Sequence, residues 1–210
     1  MKRNKKVWIV IILVIVAATA GILLYFFLKP DSAKEQFKVN VLDTIGEYGY
    51  TLDNRDSELF KKEFEELKEI LIASEMDYEA YSEKVARMFI IDLYSIESAL
   101  NKYDIGAISF YHSGKTTMFE NKVKDTLYDL VEDDSYDDRT QELPLVKAIT
   151  TISIEEGTYE IDSEELDAYI ITLSWEYEKD LGYDKEGTVI VVDDGIKKAV
   201  VSYTPAIEEE

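Results

Sequence analysis

The longest feature in the pattern of apolar and polar positions is an unbroken apolar run, Val7 to Leu28, VWIVIILVIVAATAGILLYFFL, with neither a charge nor a proline in it. A helix rising about 1.5 Å per residue over this run is long enough to cross a hydrocarbon core of roughly 30 Å with some tilt. The pattern then becomes mixed. From Phe37 apolar positions alternate through Val39 and Val41 and continue to Leu52, which predicts a strand or hairpin, although Phe37, Val41, Ile45 and Tyr48 also fit a helix. The cap-rich segment Asp53 to Ser57 precedes apolar positions at Phe60, Phe64, Leu67 and Leu71, an amphipathic helix with a start signal.

A second helix, capped by Asp77, carries Tyr78, Tyr81, Val85, Met88, Phe89, Ile96 and Leu100 along one stripe. Asp92 falls on that stripe, so its carboxylate is expected to point toward the core or into a pocket. Asn101 to Gly106 breaks this helix, and Ala107 to His112 alternates as a short strand. Thr117 and Glu120 then have capping-box spacing ahead of Val123, Leu127 and Leu130, a third helix ended by the acidic stretch Glu132 to Asp138. After Pro144 the period becomes two. Leu145 to Glu155 reads as a strand, Gly157 as a turn, and Asp167 to Glu178 as the clearest strand, with Tyr169, Ile171, Leu173, Trp175 and Tyr177 on one face. Thr188 to Val192 and Ile196 to Tyr203 flank Asp194-Gly195, a tight-hairpin signal.

Charge decides orientation. Lys2, Arg3, Lys5 and Lys6 precede the apolar run, and the positive-inside bias places them in the cytoplasm and the rest of the chain outside. The rival reading is a cleaved signal peptide, with Ala18, Thr19 and Ala20 as an A-x-A-like site; Ile22 to Leu28 prolongs the run beyond the about 7 to 15 residues of a secretory core. Five parts follow: a cytoplasmic stub (1–6), a transmembrane helix (7–28), a linker (29–36) that keeps the next part near the membrane, an extracytoplasmic α+β domain (37–204) and an acidic tail (205–210).

Residues 31–210 hold all 44 acidic residues and only 18 of the 23 basic ones, a formal charge of −26. That charge argues against nucleic acid and against broad docking on anionic lipid, both of which need a cationic footprint. With no cysteine, no disulfide staples the domain, and the aromatic content of 15 Tyr, 8 Phe and 2 Trp must fill its core.

Helices followed by a meander imply helices packed on one face of a curved antiparallel sheet. This order resembles the NTF2-like superfamily, whose cone-shaped fold wraps a bent sheet around a long helix and often leaves a pocket at its open end. The segments FIIDLY (89–94), YDIGAISF (103–110), VKDTLY (123–128) and LSWEYEKDLGYD (173–184) are similar to uncharacterised single-span membrane proteins of Gram-positive bacteria, a resemblance that implies no activity. The arrangement of one span and an external domain is also similar to NTF2-like components of type IV secretion systems, by architecture alone.

Chemical motifs are few. Gly114, Lys115 and Thr116 end like a phosphate-binding loop, but Ser109 stands where its first glycine belongs, so no nucleotide is expected. Asp133, Ser135 and Asp137 have calcium-loop spacing, but Asp138 replaces the required glycine and Pro144 the closing glutamate. One histidine and no cysteine leave no usual transition-metal site, and no cofactor is expected. Asp92 with His112 is the one carboxylate and imidazole pairing to weigh, against a reading in which each is simply hydrogen-bonded in place. Tyr128 and Trp175 complete the candidate pocket residues, Trp175 being equally a packing residue of the sheet. The expected function is a membrane-anchored, non-enzymatic interaction module working with an envelope protein; the alternative is a ligand-binding or enzymatic pocket built on Asp92.

Overall fold

The computed structural model describes residues 39–136 and 138–206 of the chain. The predicted stub, transmembrane helix and linker, and the last four residues of the tail, lie outside the described residues. Among the described residues no helix is long and apolar enough to cross a membrane.

The chain opens with a hairpin, β1 (Val41–Ile45) and β2 (Tyr50–Asp53), joined through a short 3-10 turn. Two helices follow, α1 (Glu58–Leu71) and α2 (Tyr78–Tyr94). Their starts are fixed as the sequence predicts: the Ser57 side chain accepts from the Phe60 N–H at 3.1 Å, and that of Asp77 from the Ala80 N–H at 3.0 Å. After a stretch of 3-10 turns comes α3 (Thr116–Lys124), then irregular turns, then β3 (Val146–Ile161), β4 (Glu164–Tyr177), β5 (Glu186–Asp194) and β6 (Lys197–Pro205). These four strands form one antiparallel sheet in sequential order, with register shifts in the β3–β4 and β5–β6 pairs that curve it. The architecture is α+β.

The core lies where α2 crosses all four strands. Val85, Met88, Phe89, Ile91 and Leu93 of α2 are buried, facing Ile171, Leu173, Trp175 and Tyr177 of β4 and Val189 and Val191 of β5. Burial of each large apolar side chain contributes roughly 1.5–3 kcal/mol, so this layer stabilises the domain more than any local propensity. The alternation predicted for β4 is therefore the observed one. Its opposite face is not uniformly polar, because Ala168 pairs with Val192 there in a small second cluster with Ile161 and Val201. Helix α1 packs on α2, and Glu63, 1% exposed, links them: its carboxylate takes Arg87 Nη2 at 2.7 Å and Lys84 Nζ at 2.6 Å. The hairpin is tied in by Tyr50, whose hydroxyl donates to the Lys198 carbonyl at 2.6 Å.

Four local expectations are corrected. Ala107 to His112 is not a strand: Ala107 is left-handed at φ 66°, Ile108–Phe110 make a 3-10 turn, and Tyr111 touches β6 through one parallel bridge. The Thr117 and Glu120 box does not form, since α3 begins one residue earlier without a side-chain cap and ends at Lys124, short of Leu127 and Leu130. Gly157 does not turn; β3 runs straight through it, and its missing Cβ leaves room for Ile170, whose Cδ1 would lie 3.0 Å away. The reversal comes at Asp162 and Ser163, both with positive φ as a two-residue primed turn requires. The last hairpin turns at Gly195-Ile196, one residue later than predicted, with Gly195 at φ 69°.

Candidate functional site

The sequence-predicted residues fall in three places. Asp92, near the C-terminal end of α2, lines a cleft of about 520 Å³ and a smaller chamber of about 160 Å³. Arg55, Asp56 and Asp92 belong to both walls, and Asp53, Asp104 and Tyr128 to the chamber. The strand-to-helix connection 54–57 positions Arg55 and Asp56, and the loop after α2 folds back to supply Asp104 and Gly106.

Backbone donors hold most of these carboxylates. Asp92 Oδ2 accepts from Ala107 N–H at 2.7 Å, Asp56 Oδ2 from Asp53 N–H at 2.6 Å, and Asp104 Oδ2 from Leu100 N–H at 2.9 Å. The Arg55 guanidinium pairs with Asp104 and donates to the Ser98 carbonyl at 3.3 Å; its Nε is buried without a partner. The Tyr128 hydroxyl accepts from Gly106 N–H at 3.2 Å and donates to the Leu93 carbonyl at 3.1 Å, which places it in the loop beside Asp92. Burial raises the Asp92 carboxyl to about 6 against the pull of the Ala107 N–H, with Asp53 adding repulsion. Burial likewise raises Asp56 to about 7, with Asp92 and Asp53 as further causes. Burial and the Asp92 charge push the Tyr128 phenol upward. Among the described residues no group of three or more His, Asp or Glu is placed to hold a metal ion.

The candidate pairing of Asp92 with His112 is not made, and each is hydrogen-bonded elsewhere, the reading weighed against it. His112 sits ahead of α3, where Nδ1 accepts from Gly114 N–H at 3.2 Å and Nε2 lies 3.7 Å from Asp194 at the β5–β6 turn. Ser113 reinforces that contact, its N–H donating to Asp194 at 2.8 Å. Trp175, 2% exposed, is in the core: Nε1 donates to the Tyr177 hydroxyl at 2.7 Å, and Tyr177 donates to the Asp184 carbonyl at 2.6 Å.

Sequence reasoning missed a second opening, a groove of about 600 Å³ between α3 and β6. Its floor includes Tyr111 stacked on Phe119 with ring centroids 4.1 Å apart, together with Val123 and Val201. Tyr94 and Tyr203 also line it, with their hydroxyls 2.8 Å apart, and Tyr94 donates to Asp184 at 2.8 Å. The rim carries Met118, 62% exposed, with Lys115 and Lys122. Lys115, Met118, Phe119 and Lys122 follow helical spacing, a signal present in KTTMFENKVK (115–124). No family model matches the chain, and no curated protein or solved structure matches it either.

Proposed function

We propose that the protein is a membrane-tethered, extracytoplasmic binding module with an NTF2-like domain, working within the cell envelope and without chemistry of its own. The observation that carries the reading is the contrast between the two openings. The acidic cleft is laced to its own backbone, and its one carboxylate and imidazole pairing is not assembled. The groove instead presents an aromatic lining in which the hydroxyls of Tyr94, Tyr111 and Tyr203 are already hydrogen-bonded, which suits holding a partner or ligand rather than reacting with it. The tether rests on the apolar run and its cationic flank, and the NTF2-like assignment on helices preceding a curved antiparallel meander.

A reporter active only outside the cytosol, fused after Glu210, is expected to be active, and crosslinking in cells is expected to recover an envelope partner. An inactive reporter would overturn the location, and recovery of the protein alone at every growth stage would overturn the partner. A second reading has one observation in its favour: Asp56 and Asp92 titrate near neutrality beside a cavity, as acid-base groups do. Under that reading Asp92→Asn abolishes a turnover that the binding module does not have.

A further inference from the structure

We infer that the groove between α3 and β6 binds a single-chain anionic amphiphile, its apolar body along the aromatic floor and its head at Lys115 and Lys122. The inference gives the binding module a ligand class and rests on that reading.

Charge complementarity selects the occupant. Among the described residues, Lys115 and Lys122 are the basic side chains with no ion pair, hydrogen bond or ring contact. The other lysines and arginines are engaged, even the exposed Lys147 with Glu176 and Lys179 with Glu142, and Lys197 with the Ser109 carbonyl and the Tyr50 ring. Two uncommitted cations in so acidic a domain both belong to the rim of one apolar groove. They stand seven positions apart, Lys115 at the N-cap of α3 and Lys122 in its last turn, about 10 Å apart along the helix. Asp184, in the same lining, makes no ion pair with either, so an anionic head is drawn to the lysines and away from Asp184. The tail then meets the rings of Tyr94 and Tyr203, whose hydroxyls are occupied.

The rest of the domain excludes the alternatives. Two cations against a formal −26 do not hold a polyanion, and a flat anionic bilayer needs a broad basic footprint. A cationic amphiphile would meet two ammonium groups at the rim. The volume of about 600 Å³ is that of a small-molecule site, and Met118 is a pliant side chain able to close over an acyl chain.

The test uses the full chain in phosphatidylcholine nanodiscs. The probe is a palmitic acid carrying a terminal photo-reactive diazirine, with its uncharged methyl ester as the matched control. Both partition into the disc, and labelled peptides are mapped by mass spectrometry. Peptides of α3 and β6 should take about tenfold more label from the acid than from the ester, the scale of two partly exposed ion pairs. Lys115→Gln with Lys122→Gln should erase that preference and leave labelling of Val7 to Leu28 unchanged. Equal labelling by acid and ester, or a preference that survives the double substitution, overturns the inference. So does capture of a polypeptide in cells by a photo-crosslinking residue in place of Met118. Groove labelling without label in Val7 to Leu28 would overturn the tether alone, and label confined to Val7 to Leu28 would overturn the groove alone.

Discussion

Gly106 stands so close to Asp92 that a Cβ placed on it would lie 2.3 Å from the Asp92 carbonyl oxygen and 2.9 Å from its Oδ1. This approach lets the next residue, Ala107, put its N–H on the Asp92 carboxylate and lets Gly106 reach Tyr128. Since the clash is with backbone at the end of a buried helix, Gly106→Ala should destabilise the domain by about 2–3 kcal/mol in urea melts. Ala107→Gly, which relieves a left-handed alanine, should change stability by less than about 1 kcal/mol. If Gly106→Ala melts like wild type, the loop does not pack on α2 as described.

The carboxyls of Asp56 and Asp92 make stability depend on pH in a set direction. Both have folded values above the unfolded value near 4, so the stability they contribute is complete below about pH 4. It is lost as the pH rises through about 6 for Asp92 and about 7 for Asp56. The double variant Asp56→Asn, Asp92→Asn keeps the acceptors for Asp53 and Ala107 N–H and removes the titration. Relative to wild type it should gain stability between pH 5 and 8, by about 1–2 kcal/mol at pH 8 after allowing for partial solvation. Parallel stability curves for the two proteins would show that the cleft does not shift these groups.

Glu63 has the opposite sign, because Arg87 and Lys84 outweigh its burial and lower its carboxyl. Lys84 retains Glu66 at 2.6 Å when Glu63 is removed, whereas Arg87 is left alone between α1 and α2. Glu63→Ala should cost about 3 kcal/mol, and Glu63→Met with Arg87→Met should recover most of that loss. A double-mutant cycle in urea decides it, and additive single losses would mean that the two side chains are not coupled.

On the sheet, Trp175→Ala removes a buried indole and should cost about 3–5 kcal/mol. Ser174→Ala and Thr172→Ala, on the half-exposed opposite face, should each stay within about 0.5 kcal/mol, Thr172 losing only a 3.3 Å contact to Thr188. Similar losses for all three would reverse the assignment of the faces.

Where burial dictates residue type, the chain is readable. The stripe from Phe60 to Leu67, the caps at Ser57 and Asp77, and the alternation from Ile171 to Tyr177 all answer to one local period, and each is present. Asp92 was legible for the same reason, a carboxylate on an apolar stripe that had to find a cavity and backbone donors. What misled was tertiary. The alternation from Ala107 to His112 serves a 3-10 turn wedged under β6, and Gly157 is a packing glycine rather than a turn. Asp162 and Ser163 take left-handed conformations that glycine usually supplies. The groove was hidden because it joins α3 to strands some eighty residues later, a contact no local period records.

The sheet's order leaves β3 as a sixteen-residue edge, paired on one side only, and such an edge is a template for a second copy. Its guards are the exposed carboxylates of Glu155, Glu156 and Glu160, which repel an identical strand. Salt weakens such a guard by screening, because exposed like charges repel only over a Debye length, roughly 8 Å at physiological ionic strength. High salt is therefore expected to favour association of native molecules, strand to strand, with no need for the chain to unfold.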